Sequence, residues 1–165
     1  MMKTLFLLRH AKSENAAPGL TDLNRALNER GNEEAQAIGT FLKKQDLKFD
    51  FVLCSTAVRA RETTELVLAA AELSANVRYD ERIYEAGPLR LFELISEIEK
   101  DSSAVLVVGH NPGMEELLQI LTGRNEQMAT GTLAMIDLNA DEWNKVREGE
   151  AGLDWIVKPK ELAAG

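Results

Sequence analysis

One cysteine and two histidines in 165 residues leave little room for several kinds of chemistry. The lone thiol, Cys54, has no partner for an intramolecular disulfide, which fits a reducing cytoplasm. It closes the apolar run Phe51-Val52-Leu53 and reads as a small buried hydrophobe rather than a nucleophile. There is no His-x-x-x-His pair, and the carboxylates lack ligand spacing, so neither a metal nor another cofactor is expected. Neither of the common Gly-rich phosphate loops occurs, which counts against a nucleotide-binding domain. No apolar run is long enough for a membrane span. The opening MMKTLFLLRHAKSE has too short an apolar run for a signal peptide, and Arg-His-Ala-Lys follows it where a small-residue cleavage site would stand. It reads as a first strand. Basic residues are outnumbered 19 to 27, for a net charge of −8. That balance argues against nucleic acid and anionic membrane as partners, though not against a small cationic pocket.

What is present describes one ordinary globular domain, 45% hydrophobic and 28% charged. Leu5–Leu8, Asp50–Cys54 and Ala104–Val108 are short apolar runs of the kind buried on both faces of a sheet. Val77–Tyr79, Thr132–Leu138 and Leu153–Lys158 add further strands. Between them, Glu29–Lys44, Val58–Leu73, a segment opening at Pro88 and one after Gly113 carry apolar residues at helical spacing. Ser55 or Thr56 is placed to cap the second helix, and Pro88 suits the first turn of the third. Two connections are long, Glu14–Asn28 and the polar, acidic Asn139–Gly152. Strands alternating with amphipathic helices predict an α/β, three-layer sandwich with a mostly parallel central sheet and helices on both faces. There is no internal repeat, and nothing in the pattern specifies an oligomeric state.

Both histidines fall just beyond a buried strand. His10 follows Leu8-Arg9, and His110 follows Val108-Gly109. In a parallel sheet these points share the carboxyl edge, where ligands of open α/β folds bind. Histidine is the side chain whose ordinary pKa lets it act as a neutral nucleophile or base near pH 7. Arg9 adds a permanent fork for phosphate or carboxylate oxygens. Arg59, on the opening turn of the second helix, adds a third charge-bearing point where free N–H groups and the helix dipole also favour an anion. Arg61 lies about 200° around that helix from Arg59 and reads as a solvated or structural cation. Two arginines and two histidines at one edge suit a phosphoryl group.

LRHAKSEN at Leu8–Asn15, STAVRARETTE at Ser55–Glu65, IYEAG at Ile83–Gly87 and VVGHNPGMEELL at Val107–Leu118 together resemble the histidine phosphatase superfamily. LNERGNEEA at Leu27–Ala35 and LDWIVKPKEL at Leu153–Leu162 are similar to its SixA-type phosphohistidine phosphatase branch. The resemblance spans nearly the whole chain and implies a phosphoglycerate mutase-like fold. It also implies that His10 is a nucleophile that becomes transiently phosphorylated. Arg9, Arg59 and His110 would surround the phosphoryl group, His110 best as imidazolium. Glu85 stands where many members carry the acid that protonates the leaving group. Ser13 and Asn15 match phosphate-touching positions of mutase-type relatives but read equally as loop caps. Ala11 replaces the usual glycine, so the backbone after His10 needs no Gly-only conformation.

Larger relatives wall the pocket with a helical insertion between the second and third core strands, which this chain lacks. The expected activity is therefore a metal-independent phosphatase with an open site, acting on phosphohistidine in a phosphorylated protein. The alternatives are a phosphatase of small phosphorylated metabolites and a non-catalytic phosphate-binding regulatory module.

Overall fold

The computed structural model describes residues 2–163. Six strands form one sheet: β1 (Thr4–Arg9), β2 (Phe51–Cys54), β3 (Asn76–Tyr79), β4 (Ala104–Gly109), β5 (Leu133–Asp137) and β6 (Gly152–Val157). Their order is β3-β2-β4-β1-β5-β6. The first four run parallel, while β5 is antiparallel to β1 and β6 antiparallel to β5. The expected mostly parallel sheet is present, with its last two strands added as an antiparallel edge.

The faces follow from the direction of travel. Chain order β1 to β2 to β3 moves one way across the sheet, through α1 (Glu29–Lys44) and α2 (Val58–Ala71). The path then turns back to β4 through α3 (Pro88–Ser96), and α4 (Gly113–Thr122) follows β4. Right-handed crossovers in opposite directions must use opposite faces. Alternate residues of one strand therefore enter separate cores. Phe6 and Leu8 pack with Ile38, Leu42 and Val67 of α1 and α2. Leu5 and Leu7 pack with Leu94, Ile95, Leu117 and Leu118 of α3 and α4.

Local signals explain most boundaries. The Asn28 side chain accepts the Gly31 N–H at 2.9 Å and caps α1, whose last turn carries Lys43 and Lys44 against the negative dipole end. Pro88 opens α3. Neither Ser55 nor Thr56 is the N-cap of α2; Ala57 occupies that position without a side-chain cap. Ser55 Oγ accepts the Ala57 N–H at 3.2 Å one turn earlier and is held elsewhere, as described below. α2 stops at Ala71, two residues short of its apolar pattern, because Glu72 takes a left-handed conformation. The acidic 139–152 connection is not a loose polar loop. It holds Trp143, which is buried and donates to Ser102 O at 2.8 Å, with Val146 and Ala151 beside it.

One glycine decides how closely α1 approaches the strand end that carries His10. A Cβ at Gly31 would lie 1.9 Å from the backbone oxygen of Lys12. An exposed helical Gly→Ala change ordinarily gains up to about 1 kcal/mol. Here Gly31→Ala is expected to cost about 3 kcal/mol, because helix or loop must move. Equilibrium urea unfolding checks this, and a neutral or stabilised variant would contradict the close approach.

Candidate active site

Chain order runs one way from β1 and the other way from β4, so the adjacent carboxyl ends of these strands form the switch point where α/β sheets leave a crevice. Arg9 pairs with Gly109 in register, and His10 and His110 follow directly. Their ring centroids are 5.1 Å apart. Arg9, His10, Arg59 and His110 all line one cavity of about 240 Å³, a volume suited to a phosphoryl group. Glu85 does not. It is exposed, with φ of 58°, and lies on the wall of an adjoining groove of about 610 Å³.

The loop bearing His10 is tied on three sides. Ala11 N–H donates to Thr63 Oγ1 at 3.0 Å, and Thr63 in turn donates to Arg59 O, which couples the loop to α2. Lys12 N–H donates to Glu34 Oε1 of α1 at 2.8 Å. The Gly131 N–H donates to the carbonyls of Arg9 and His10. His10 is consequently 7% exposed and held in one orientation. Its Nδ1 lies 2.8 Å from the Ala11 carbonyl, which can only accept, so the ring proton is assigned to Nδ1. Nε2 keeps its lone pair and receives a long contact of 3.4 Å from Arg59 Nε.

His110 is arranged differently. Its Nε2 is 2.8 Å from Ser55 Oγ, which already accepts the Ala57 N–H. With the hydroxyl proton turned to Nε2, the His110 ring proton sits on Nδ1, a buried atom without a protein partner. Arg9 Nε is likewise buried without a partner, while Arg9 Nη1 donates to Met128 O at 3.0 Å. Glu115 fixes that contact by accepting from Met128 N–H and Asn111 Nδ2. Unpaired buried donors are costly in isolation, and these are donors that an anion in the cavity would satisfy.

Burial pushes the His10 pKa down to about 3, and the nearby positive groups oppose the small lift from its bond to Ala11. Burial, then the charge on Arg59, lowers His110 to about 4. Both rings are neutral at pH 7. The imidazolium expected for His110 belongs to the site with a phosphoryl group in it. In the resting site His110 is a neutral imidazole, an Nδ1–H donor when the Ser55 hydroxyl donates to Nε2.

The sequence reading left Ser13 and Asn15 open between phosphate contact and loop cap, and it missed Arg25, Asp22 and Tyr84. Ser13 and Asn15 both line the cavity rather than merely finishing a loop, and so does Arg25. Arg25 Nη1 donates to Ser13 Oγ at 3.1 Å. Asp22 and Tyr84, taken from two polar loops, meet at the rim, with Tyr84 Oη donating to Asp22 Oδ2 at 2.5 Å. The only linear hint was the Asp22/Arg25 spacing in an otherwise polar stretch. Arg61 is exposed and stacks its guanidinium 4.6 Å from the Tyr79 ring centroid, away from the cavity.

Comparison with known proteins agrees with this geometry. Residues 5–90, more than half of the chain, match the model of the histidine phosphatase superfamily (branch 1). An uncharacterized protein of Mycobacterium tuberculosis is 36% identical over 165 residues, covering 93% of this chain and 100% of its own. The structure of SixA from Nakamurella multipartitia superposes with a TM-score of 0.84 at 30% identity, covering 96% of this chain and 97% of that one. SixA from Agrobacterium tumefaciens gives the same TM-score and identity over 96% and 99%. A two-core α/β sheet of phosphoglycerate mutase type, closed at its switch point by paired histidines and arginines, thus comes with sequence kinship along nearly its full length, and the chain belongs to the histidine phosphatase superfamily.

Proposed function

We propose that the protein is a metal-independent phosphatase that works through a phosphohistidine on His10 and acts on phosphohistidine in proteins. One observation carries the chemistry: His10 is neutral, with Nδ1–H committed to Ala11 O and the Nε2 lone pair engaged only by a long contact of 3.4 Å from Arg59 Nε. In the first step Nε2 attacks phosphorus, the P–Nε2 bond forms, and the bond to the leaving group breaks with its electron pair. Arg59 Nε turns from Nε2 to a phosphoryl oxygen as the lone pair is consumed. Arg9 Nε and His110 Nδ1 supply further donors to the charge on the equatorial oxygens. In the second step water attacks phosphorus, the P–Nε2 bond breaks, and inorganic phosphate leaves. Glu85, on the groove side, would give its carboxyl proton to the leaving group as that bond breaks and, then a carboxylate, take the proton of the water that attacks in the second step.

The walls support the protein substrate. Only α2 separates β2 from β3, and a single 3-10 turn and α3 separate β3 from β4. No inserted helix roofs the cavity among these described residues, so a phosphorylated side chain standing on another protein's surface can reach it. The adjoining groove is also large enough for a small phosphoester, which is the second reading.

Brief incubation with a radiolabelled generic phosphoester, followed by alkaline quench, is expected to trap protein-bound label that is acid-labile and maps to His10. Acid-stable label, or label elsewhere, would overturn the mechanism. A substrate panel decides the rest: a strong preference for sugar phosphates over a phosphohistidine-bearing protein would overturn the protein substrate.

A further inference from the structure

The guanidinium of Arg59 has no idle edge. Nε contacts His10 at 3.4 Å, Nη1 donates to the Asp22 carbonyl at 2.7 Å, and Nη2 donates to Asp22 Oδ2 at 3.0 Å. The other carboxylate oxygen, Oδ1, accepts from Arg25 Nε at 3.0 Å and Nη2 at 2.8 Å. Tyr84 Oη supplies a further donor to Oδ2. One carboxylate therefore occupies donors on two of the three arginines that line the phosphate cavity. The forked guanidinium edge it fills fits a phosphoryl group equally well.

Asp22 is open to solvent for a residue with such partners. Its side chain is 49% exposed, whereas that of Arg59 is 6% exposed. It stands on a three-residue 3-10 turn within the long connection after β1, a stretch outside the sheet. These features describe an exchangeable partner of a fixed arginine.

We infer that Asp22 is an internal anion that competes with the phosphoryl group for Arg59 and Arg25, and so acts as a specificity-determining charge filter at the rim. This rests on the phosphatase reading above and narrows its substrate class. A ligand with a second negative charge close to its phosphoryl group meets the displaced carboxylate and is disfavoured. A phosphoryl group on a neutral or cationic carrier, such as the imidazole of a protein histidine, is admitted. Free phosphate, the product, is also held less tightly than three arginines would otherwise hold it.

The test is calorimetric titration with inorganic phosphate on the wild-type protein, Asp22→Asn and Tyr84→Phe, with turnover of para-nitrophenyl phosphate and 3-phosphoglycerate measured alongside. Asp22→Asn is expected to bind phosphate about tenfold more tightly. It should also raise kcat/KM for the carboxylated ester about tenfold relative to the uncharged one. Tyr84→Phe, which removes one hold on the carboxylate and spares the charge, is expected to move both in the same direction by a smaller factor. Unchanged or weakened phosphate binding in both variants would make Asp22 a mere prop for Arg59 and end the inference. Failure of the phosphatase reading is distinguishable: phosphate would bind and respond to Asp22→Asn, while neither ester turned over in any protein.

Discussion

Replacing His10 with alanine is expected to lower kcat by about 10⁴-fold or more while phosphate binding changes only severalfold. The two effects separate because different groups supply them. Bond making at phosphorus needs the Nε2 lone pair, and no neighbouring side chain can take its place. His110 has Nε2 turned to Ser55, and the remaining groups at the cavity are cations, amides and the hydroxyls of Ser13 and Thr130, which are weak nucleophiles at their ordinary pKa. Anion binding in the proposed site instead draws on Arg9, Arg25 and Arg59, whose main supports lie outside the imidazole. Met128 O holds Arg9, and Asp22 holds the other two. The variant also frees Arg59 Nε, the one donor His10 engages. Single-turnover assays with para-nitrophenyl phosphate and phosphate titration of the same preparation check both halves. A non-catalytic phosphate-binding module would have no turnover to lose. Retained turnover with His10 absent would remove the covalent mechanism altogether.

What could be read from the sequence divides along a physical line. The sheet, both its faces and the convergence of His10 with His110 were legible, because buried strands are continuous apolar runs and their ends are marked by abrupt polarity. Leu5–Leu8 and Val105–Val108 announce where the chain must stop and turn, and the residues that follow are placed by backbone register rather than by side-chain choice. Arg59 was legible through the helix start. Loop-to-loop contacts were not. Asp22 meets Arg59 across 37 positions and Tyr84 across 62, and no periodicity relates two polar loops. Ser55 was noticed for the wrong reason, as a helix cap, because its partner His110 is 55 positions away. Glu85 came from resemblance alone, and the fold sets it on the groove wall outside the phosphate cavity. Trp143 was overlooked because a single buried ring inside an acidic segment leaves no pattern.

The same burial that keeps His10 neutral, as the proposed mechanism requires, makes the fold sensitive to mild acid. In the unfolded chain both histidines titrate near pH 6.5. In the native state burial depresses His10 to about 3 and His110 to about 4. Between those values the unfolded state binds more protons, so native stability is fully present above about pH 6.5 and is lost as pH falls toward the folded values. From pH 8 to pH 5 each ring contributes a loss of about 2 kcal/mol, or about 4 kcal/mol together. Asp22 acts in the same direction, since its donors, Tyr84 first, hold its carboxyl well below the usual carboxylate range. Its share falls mainly below pH 5, where an ordinary aspartate begins to take up protons, and leaves the pH 8 to 5 interval to the histidines. Urea unfolding at pH 8 and pH 5 is expected to report that difference in extrapolated stability at nearly constant slope. His110→Gln and His10→Ala are each expected to remove about half of the pH dependence, whatever they do to stability at pH 8. Saturating phosphate is expected to restore part of the loss at pH 5, because an anion in the cavity favours the protonated rings. A stability that stayed level from pH 8 to pH 5, or a pH dependence unchanged in both variants, would place the protons elsewhere and remove the neutral, buried imidazole on which nucleophilic attack by His10 relies.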